Sequence, residues 1–190
     1  MPMDRWLDRS LRAVLIVGGT AILWLAVFNF NMWLFEHTAF SERAHWIFLP
    51  AAFRVIAVLI FGLRGSAGLM LGAYLTMPPA SSDDHVYEIM LSISSGLAPL
   101  AAVIFCRHYF RIDNDLVGLN GWHVIALSVS CAAANAILLN LVMWLMGTQQ
   151  PELQAISAIF VGDVLGAAIV LGAMSLLLSL TLRLMRVLSV

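Results

Sequence analysis

The sequence predicts an all-α protein, a polytopic transmembrane helical bundle of about six helices with the third short and both termini cytoplasmic. Three observations carry that expectation. Hydrophobic residues make up 62% of the 190 positions and charged residues 11%, with a mean hydropathy of +0.93, a balance foreign to soluble domains. The apolar residues fall into runs near 20 residues long, the length that crosses about 30 Å of hydrocarbon. The arginines between the runs also segregate to alternate loops. Six crossings use up the chain, so residues 1–190 read as a single integral membrane domain, without length for a separate catalytic or DNA-binding domain. A net charge of −1 gives no electrostatic attraction to nucleic acid and no polybasic lipid-binding patch.

The first run, Ala13 to Phe35, follows Arg5, Arg9 and Arg12. At about 23 residues, with no small-x-small cleavage site, it reads as an anchor and first helix rather than a signal peptide. The second spans Trp46 to Leu63. The third starts after Arg64-Gly65 and ends near Met77-Pro78-Pro79, too short for a comfortable crossing and therefore re-entrant or incompletely spanning. The fourth covers Tyr87 to Cys106 and the fifth Trp122 to Met146. The sixth, Leu153 to Leu182, is about 30 residues, or roughly 45 Å, so it must tilt, kink near Gly162, Gly166 or Gly172, or project beyond the bilayer.

If all six segments cross, Arg5, Arg9, Arg12, Arg64, Arg107, Arg111, Arg183 and Arg186 share one side. The other side has only Arg43, with Glu36, Glu42, Asp83, Asp84 and Glu152. The positive-inside rule then makes both termini cytoplasmic and the acidic loops external. Trp33, Trp46, Trp122 and Trp144 lie near helix ends, where an aromatic belt belongs.

Against this topology one residue stands out. Arg54 interrupts the apolar second helix, eight residues from its outer end and ten from Arg64, about 12 to 15 Å from either face. A charge at that depth costs about 2.5 to 3.5 kcal/mol on insertion scales and persists where it is paired or lines a site. Asp163, in the sixth helix at a similar depth, is its expected counter-ion. Glu88, Ser92 and Ser95 share a face of the fourth helix at i, i+4 and i+7. Asn29 and Asn31 on the first helix, and Asn135 and Asn140 on the fifth, also fall in the outer half. Arg54, Asp163, Glu88, Ser92, Ser95, Asn31, Asn135 and Asn140 therefore form one expected polar centre, read either as a ligand site or as interhelical hydrogen-bond glue.

Other chemistry finds less support. The loop residues Glu36, His37, Glu42, His45, Asp83, Asp84 and His85 match no established metal-ligand spacing, so no metal site is expected. His108 and His123 sit at helix ends, unsuited to haem ligation, and no cofactor is read from the sequence. Cys106 and Cys131 read as small buried apolar residues rather than a disulfide. No His-Glu-x-x-His, Gly-x-Ser-x-Gly or phosphate-binding glycine loop occurs, and the chain reads as a non-enzyme.

Phe48-Leu49-Pro50-Ala51-Ala52, followed by Val58 to Arg64 with its Gly62-Leu63-Arg64 turn and by Gly68-Leu-Met-Leu-Gly72-Ala73, resembles the opening of bacterial membrane-associated sensor domains of the MASE type. Phe160-Val-Gly162-Asp163-Val-Leu-Gly166 is similar to their later Gly-Asp-x-x-Gly segment. The resemblance covers about 40 of the 190 residues. It departs at Ala52, where the family favours Gly, and in having fewer helices and no output domain. It implies a polytopic sensing module that acts on a signalling enzyme. Three functions follow as expectations: a non-enzymatic sensor or ligand-binding module of the bacterial inner membrane acting through a partner protein; a small transporter or its substrate-binding subunit; or an accessory subunit of a larger membrane complex. The expected partners are the lipid bilayer, a membrane protein or second copy of the chain, and a small molecule, with no nucleic acid.

Overall fold

The computed structural model describes residues 3–35, 39–41, 44–77, 85–112, 120–147 and 153–188. Its helices are α1 (Met3–Phe35), α2 (Pro50–Phe61), α3 (Leu63–Leu75), α4 (His85–Phe110), α5 (Gly121–Leu145) and α6 (Leu153–Leu188). The fold is all-α, as the sequence predicts. Between α1 and α2, β1 (Ala39–Ser41) and β2 (Ala44–His45) form a short antiparallel pair, a local pairing rather than a sheet layer. Among the described residues, four helices are long and apolar enough to cross a membrane: α1, α4, α5 and α6.

The second helix is shorter than its apolar run implies. It begins at Pro50 rather than Trp46, because the residues ahead of it spend their backbone donors elsewhere. The Phe48 N–H donates to the Gly162 carbonyl at 3.0 Å and the Leu49 N–H to Asn31 Oδ1 at 2.8 Å. Pro50 has no N–H to lose and a fixed φ suited to the first helical position. At its far end α2 stops at Gly62, whose φ of +56° and ψ of −130° suit glycine and disfavour any side chain. The 12 residues of α2 and 13 of α3 are each about 18 to 20 Å long, well short of the hydrocarbon thickness. The third segment is short, as expected, and so is the second.

Together α2 and α3 form a helical hairpin lodged among the long helices. Gly68 lies against Val17 and Thr20, and Gly72 against Trp24, so α3 runs in the same direction as α1. Contact this close needs residues without side chains on the facing surface. Against α4 the direction reverses: Ser66 Oγ donates to the Gly96 carbonyl at 2.9 Å, and Ser95 Oγ to the Leu69 carbonyl at 3.4 Å. Trp24, Val55, Val58, Leu69, Val103, Leu127 and Cys131 fill the main core, while Tyr87, Leu91, Met143 and Ile159 form a second cluster.

The sixth helix runs unbroken for 36 residues, about 54 Å. Its first half packs on the bundle through Ala158, Ile159, Gly162, Asp163, Gly166 and Ala167, whereas residues 172–181 are all exposed. The helix is not interrupted at Gly162, Gly166 or Gly172, and its second half extends away from the bundle. A side chain at Gly166 would run into the Phe48 carbonyl, which is backbone that cannot step aside, whereas one at Gly18 would meet nothing within 4 Å. Gly166→Val is therefore expected to destabilise the protein by about 1 to 3 kcal/mol. Gly18→Ala should leave it unchanged or stabilise it by about 0.5 to 1 kcal/mol. Thermal unfolding of both variants in one detergent checks the contrast.

Candidate functional site

Arg54 stands on the second turn of α2, one turn past the irregular segment, and is 6% exposed. Its Nη1 donates to Asp163 Oδ2 of α6 at 3.1 Å, in the ion pair expected from depth alone. Asn135 of α5 joins from a third direction, its Nδ2 donating to the same carboxylate oxygen at 2.6 Å. Asp163 and Asn135 are both 3% exposed. Three helices thus converge on one oxygen atom. A carboxylate that accepts two charge-assisted or strongly polarised donors is well solvated by protein where water is excluded.

The guanidinium is held on its faces as well as its edge. Its carbon lies 5.1 Å from the Trp24 ring centroid and 5.0 Å from that of Phe48. Trp24, Phe28 and Phe48 also contact one another, with centroid separations of 6.2 to 6.3 Å. Away from water, a cation over an aromatic face gains about 2 kcal/mol. The Trp24 ring is fixed in turn: its Nε1 donates to Thr76 Oγ1 at 3.3 Å at the end of α3. The Arg54 environment therefore draws on α1, the segment before α2, α5 and α6.

The remaining expected residues bond elsewhere. Asn31, fully buried, caps the Leu49 N–H and so supports the backbone beside Phe48. Asn140 Nδ2 turns back to the Ala136 carbonyl at 2.8 Å within its own helix. Ser92 Oγ donates to the Ile89 carbonyl, and Ser95 Oγ to the carbonyls of Leu69 and Ser92. The Glu88 carboxylate lies 3.7 Å from His85 Nδ1, at the start of α4. Sequence spacing placed Glu88, Ser92 and Ser95 on one face, but their hydrogen bonds are local or serve the α3–α4 contact. Trp24 and Phe48 are the site residues that sequence reasoning missed. Trp24 carried a usable signal, since it lies mid-helix rather than in the belt at the helix ends.

Cys106 and Cys131 are free and buried. The acidic loop positions Glu36, His37, Glu42, Asp83 and Asp84 lie outside the described residues, and no group of metal-ligating side chains occurs among the described ones. No family model, curated protein or solved structure matches the chain.

Two atoms of the centre are left without a hydrogen-bond partner among the described residues: Arg54 Nε and Asn135 Oδ1. Asn31 Nδ2, at the cap, is a third such atom. A buried polar atom left in this way costs about 1 to 3 kcal/mol, which the ion pair and the ring contacts must offset. Removing one charge leaves the other buried and alone, so Arg54→Leu and Asp163→Leu should each destabilise by about 3 to 5 kcal/mol, with the double variant less affected than either single one. Asn31→Leu strands the Leu49 N–H and should cost about 1 to 3 kcal/mol. Denaturant titration of the four proteins in detergent measures these differences, and a double variant as unstable as the sum of the singles would exclude the pairing energetics.

Proposed function

We propose that this protein is a non-enzymatic sensing or ligand-binding module of a bacterial inner membrane, with both termini cytoplasmic, that acts through a partner membrane protein. The observation that carries the reading is the Arg54–Asp163–Asn135 centre, a charged and hydrogen-bonded cluster that joins the short α2 to α5 and α6, two helices of membrane-crossing length, and in which a donor and an acceptor have no partner among the described residues. Ionisable residues at such depth mark functional sites by default. The cluster lies where α2, α5 and α6 meet, so a ligand there would bias the position of α6, and the exposed second half of α6 offers a surface for passing that bias to a partner. The MASE-type resemblance of residues 48–73 and 160–166 points to the same class of module.

A second reading, a small transporter or its substrate-binding subunit, is favoured by one feature: the non-helical backbone of residues 46–49 ahead of a half-length helix. In transporters such broken helices lie at midplane substrate sites.

Purification in mild detergent, with mass spectrometry of bound proteins and bound small molecules, tests the proposal. Wild-type protein should retain a stoichiometric membrane partner or a small molecule. The Arg54→Leu/Asp163→Leu double variant, shown to be folded by its cooperative unfolding, should lose at least ten-fold of that binding, a difference of about 1.4 kcal/mol. A folded double variant that binds like the wild type defeats the reading, and a bound ATPase pair would transfer support to transport.

A further inference from the structure

The ion pair fixes the charge balance of its surroundings. Arg54 and Asp163 neutralise each other at 3.1 Å, so a carboxylate or phosphate added here would face Asp163, and an ammonium would face Arg54, each at low dielectric. What the centre lacks is hydrogen-bond valence rather than charge. Arg54 Nε has a hydrogen to donate and Asn135 Oδ1 has lone pairs to offer, and neither has a partner among the described residues. The two atoms belong to the guanidinium and the amide that both donate to Asp163 Oδ2, so the groups that carry them meet at one carboxylate oxygen. The Asn135 amide is held in this orientation because the opposite one would turn its oxygen toward the carboxylate. Val58, Cys131 and Ala167, one helical turn from Arg54, Asn135 and Asp163, are all buried, so the centre is closed in by packed side chains and suits only a very small group.

From these constraints we propose that the centre binds a small neutral hydroxyl group, whose oxygen accepts from Arg54 Nε and whose O–H donates to Asn135 Oδ1. The hydroxyl is the smallest group that does both without adding charge. An internal water and a small alcohol or polyol share this chemistry, and either would complete the hydrogen bonding that ties α2 to α5 and α6. The inference rests on the reading of this centre as a binding site and names its ligand class.

Protein labelled with 15N-arginine, in lipid nanodiscs, supplies the test. The Arg54 Nε–H resonance is assigned by its loss in Arg54→Lys, which keeps a cation opposite Asp163, or, should that variant not fold, by its dipolar contact with the Trp24 ring. Magnetisation transfer from water to this resonance identifies water as the hydroxyl. A small-molecule adduct retained in native mass spectrometry, and lost in Asn135→Leu, identifies an organic alcohol. Either result supports the proposal. An Arg54 Nε–H that receives no transfer from water in a protein that carries no adduct overturns it. That outcome, combined with a double variant that still loses its partner, would defeat the hydroxyl site and leave the proposed function standing.

Discussion

A guanidinium among apolar helices has no solvent but the protein itself, and most of this architecture follows from solvating Arg54. Lipid offers it nothing, and loss of its single counter-ion would leave several kcal/mol of desolvation unopposed. The chain answers from four directions: the Asp163 carboxylate of α6, the Asn135 amide that orients that carboxylate from α5, the Trp24 ring of α1, and the Phe48 ring from the segment before α2. The contacts from α1, α5 and α6 each hold a helix relative to α2. Apolar side chains alone would not do so, because in lipid the exchange of one hydrocarbon neighbour for another has little driving force.

The same constraint accounts for the break before α2. Irregular backbone at membrane depth survives only where its polar groups are met by protein. Phe48 and Leu49 satisfy that condition through the Gly162 carbonyl and Asn31, and Phe48 is the residue whose ring covers Arg54. Gly162 and Asp163 are adjacent in α6, so one helix turn supplies both the backbone acceptor for the irregular segment and the counter-ion for the helix that follows it. Gly166, a turn later, lets that segment approach the helix backbone. The Phe160-to-Gly166 stretch is thus a docking strip for the entry to α2.

Much of this was legible in the sequence, and the remainder was hidden for identifiable reasons. Run lengths and arginine placement gave six helices with a short third, and depth counting paired Arg54 with Asp163 because only one acidic residue lay deep in another helix. Asn135 was within reach of the same argument. The early stop of α2 was not, because Trp46 to Leu49 are as apolar as the helix they precede, and hydropathy carries no information about where backbone hydrogen bonds go. Pro50 was the one available sign. Glu88, Ser92 and Ser95 bond away from the Arg54 centre for a related reason. Helical periodicity places side chains on a face, but serine hydroxyls commonly bond back to carbonyls of their own helix, as Ser92 does with Ile89.

One asymmetry remains within α6. Its first half is held by an ion pair, a backbone hydrogen bond and close glycine packing, all between Ala158 and Ala167, whereas residues 172–181 touch little of the bundle. A helix fixed at one end and unsupported at the other behaves as a lever about its fixed end. Small changes at Asp163 then become larger displacements some 15 to 25 Å away, at the 1.5 Å rise of an α-helix. The polar centre sits at the fulcrum. Whatever alters the hydrogen bonding of Arg54, Asp163 or Asn135 acts on the ion pair that holds α6 to α2 and on the amide that holds α6 to α5, both within the packed half of the helix.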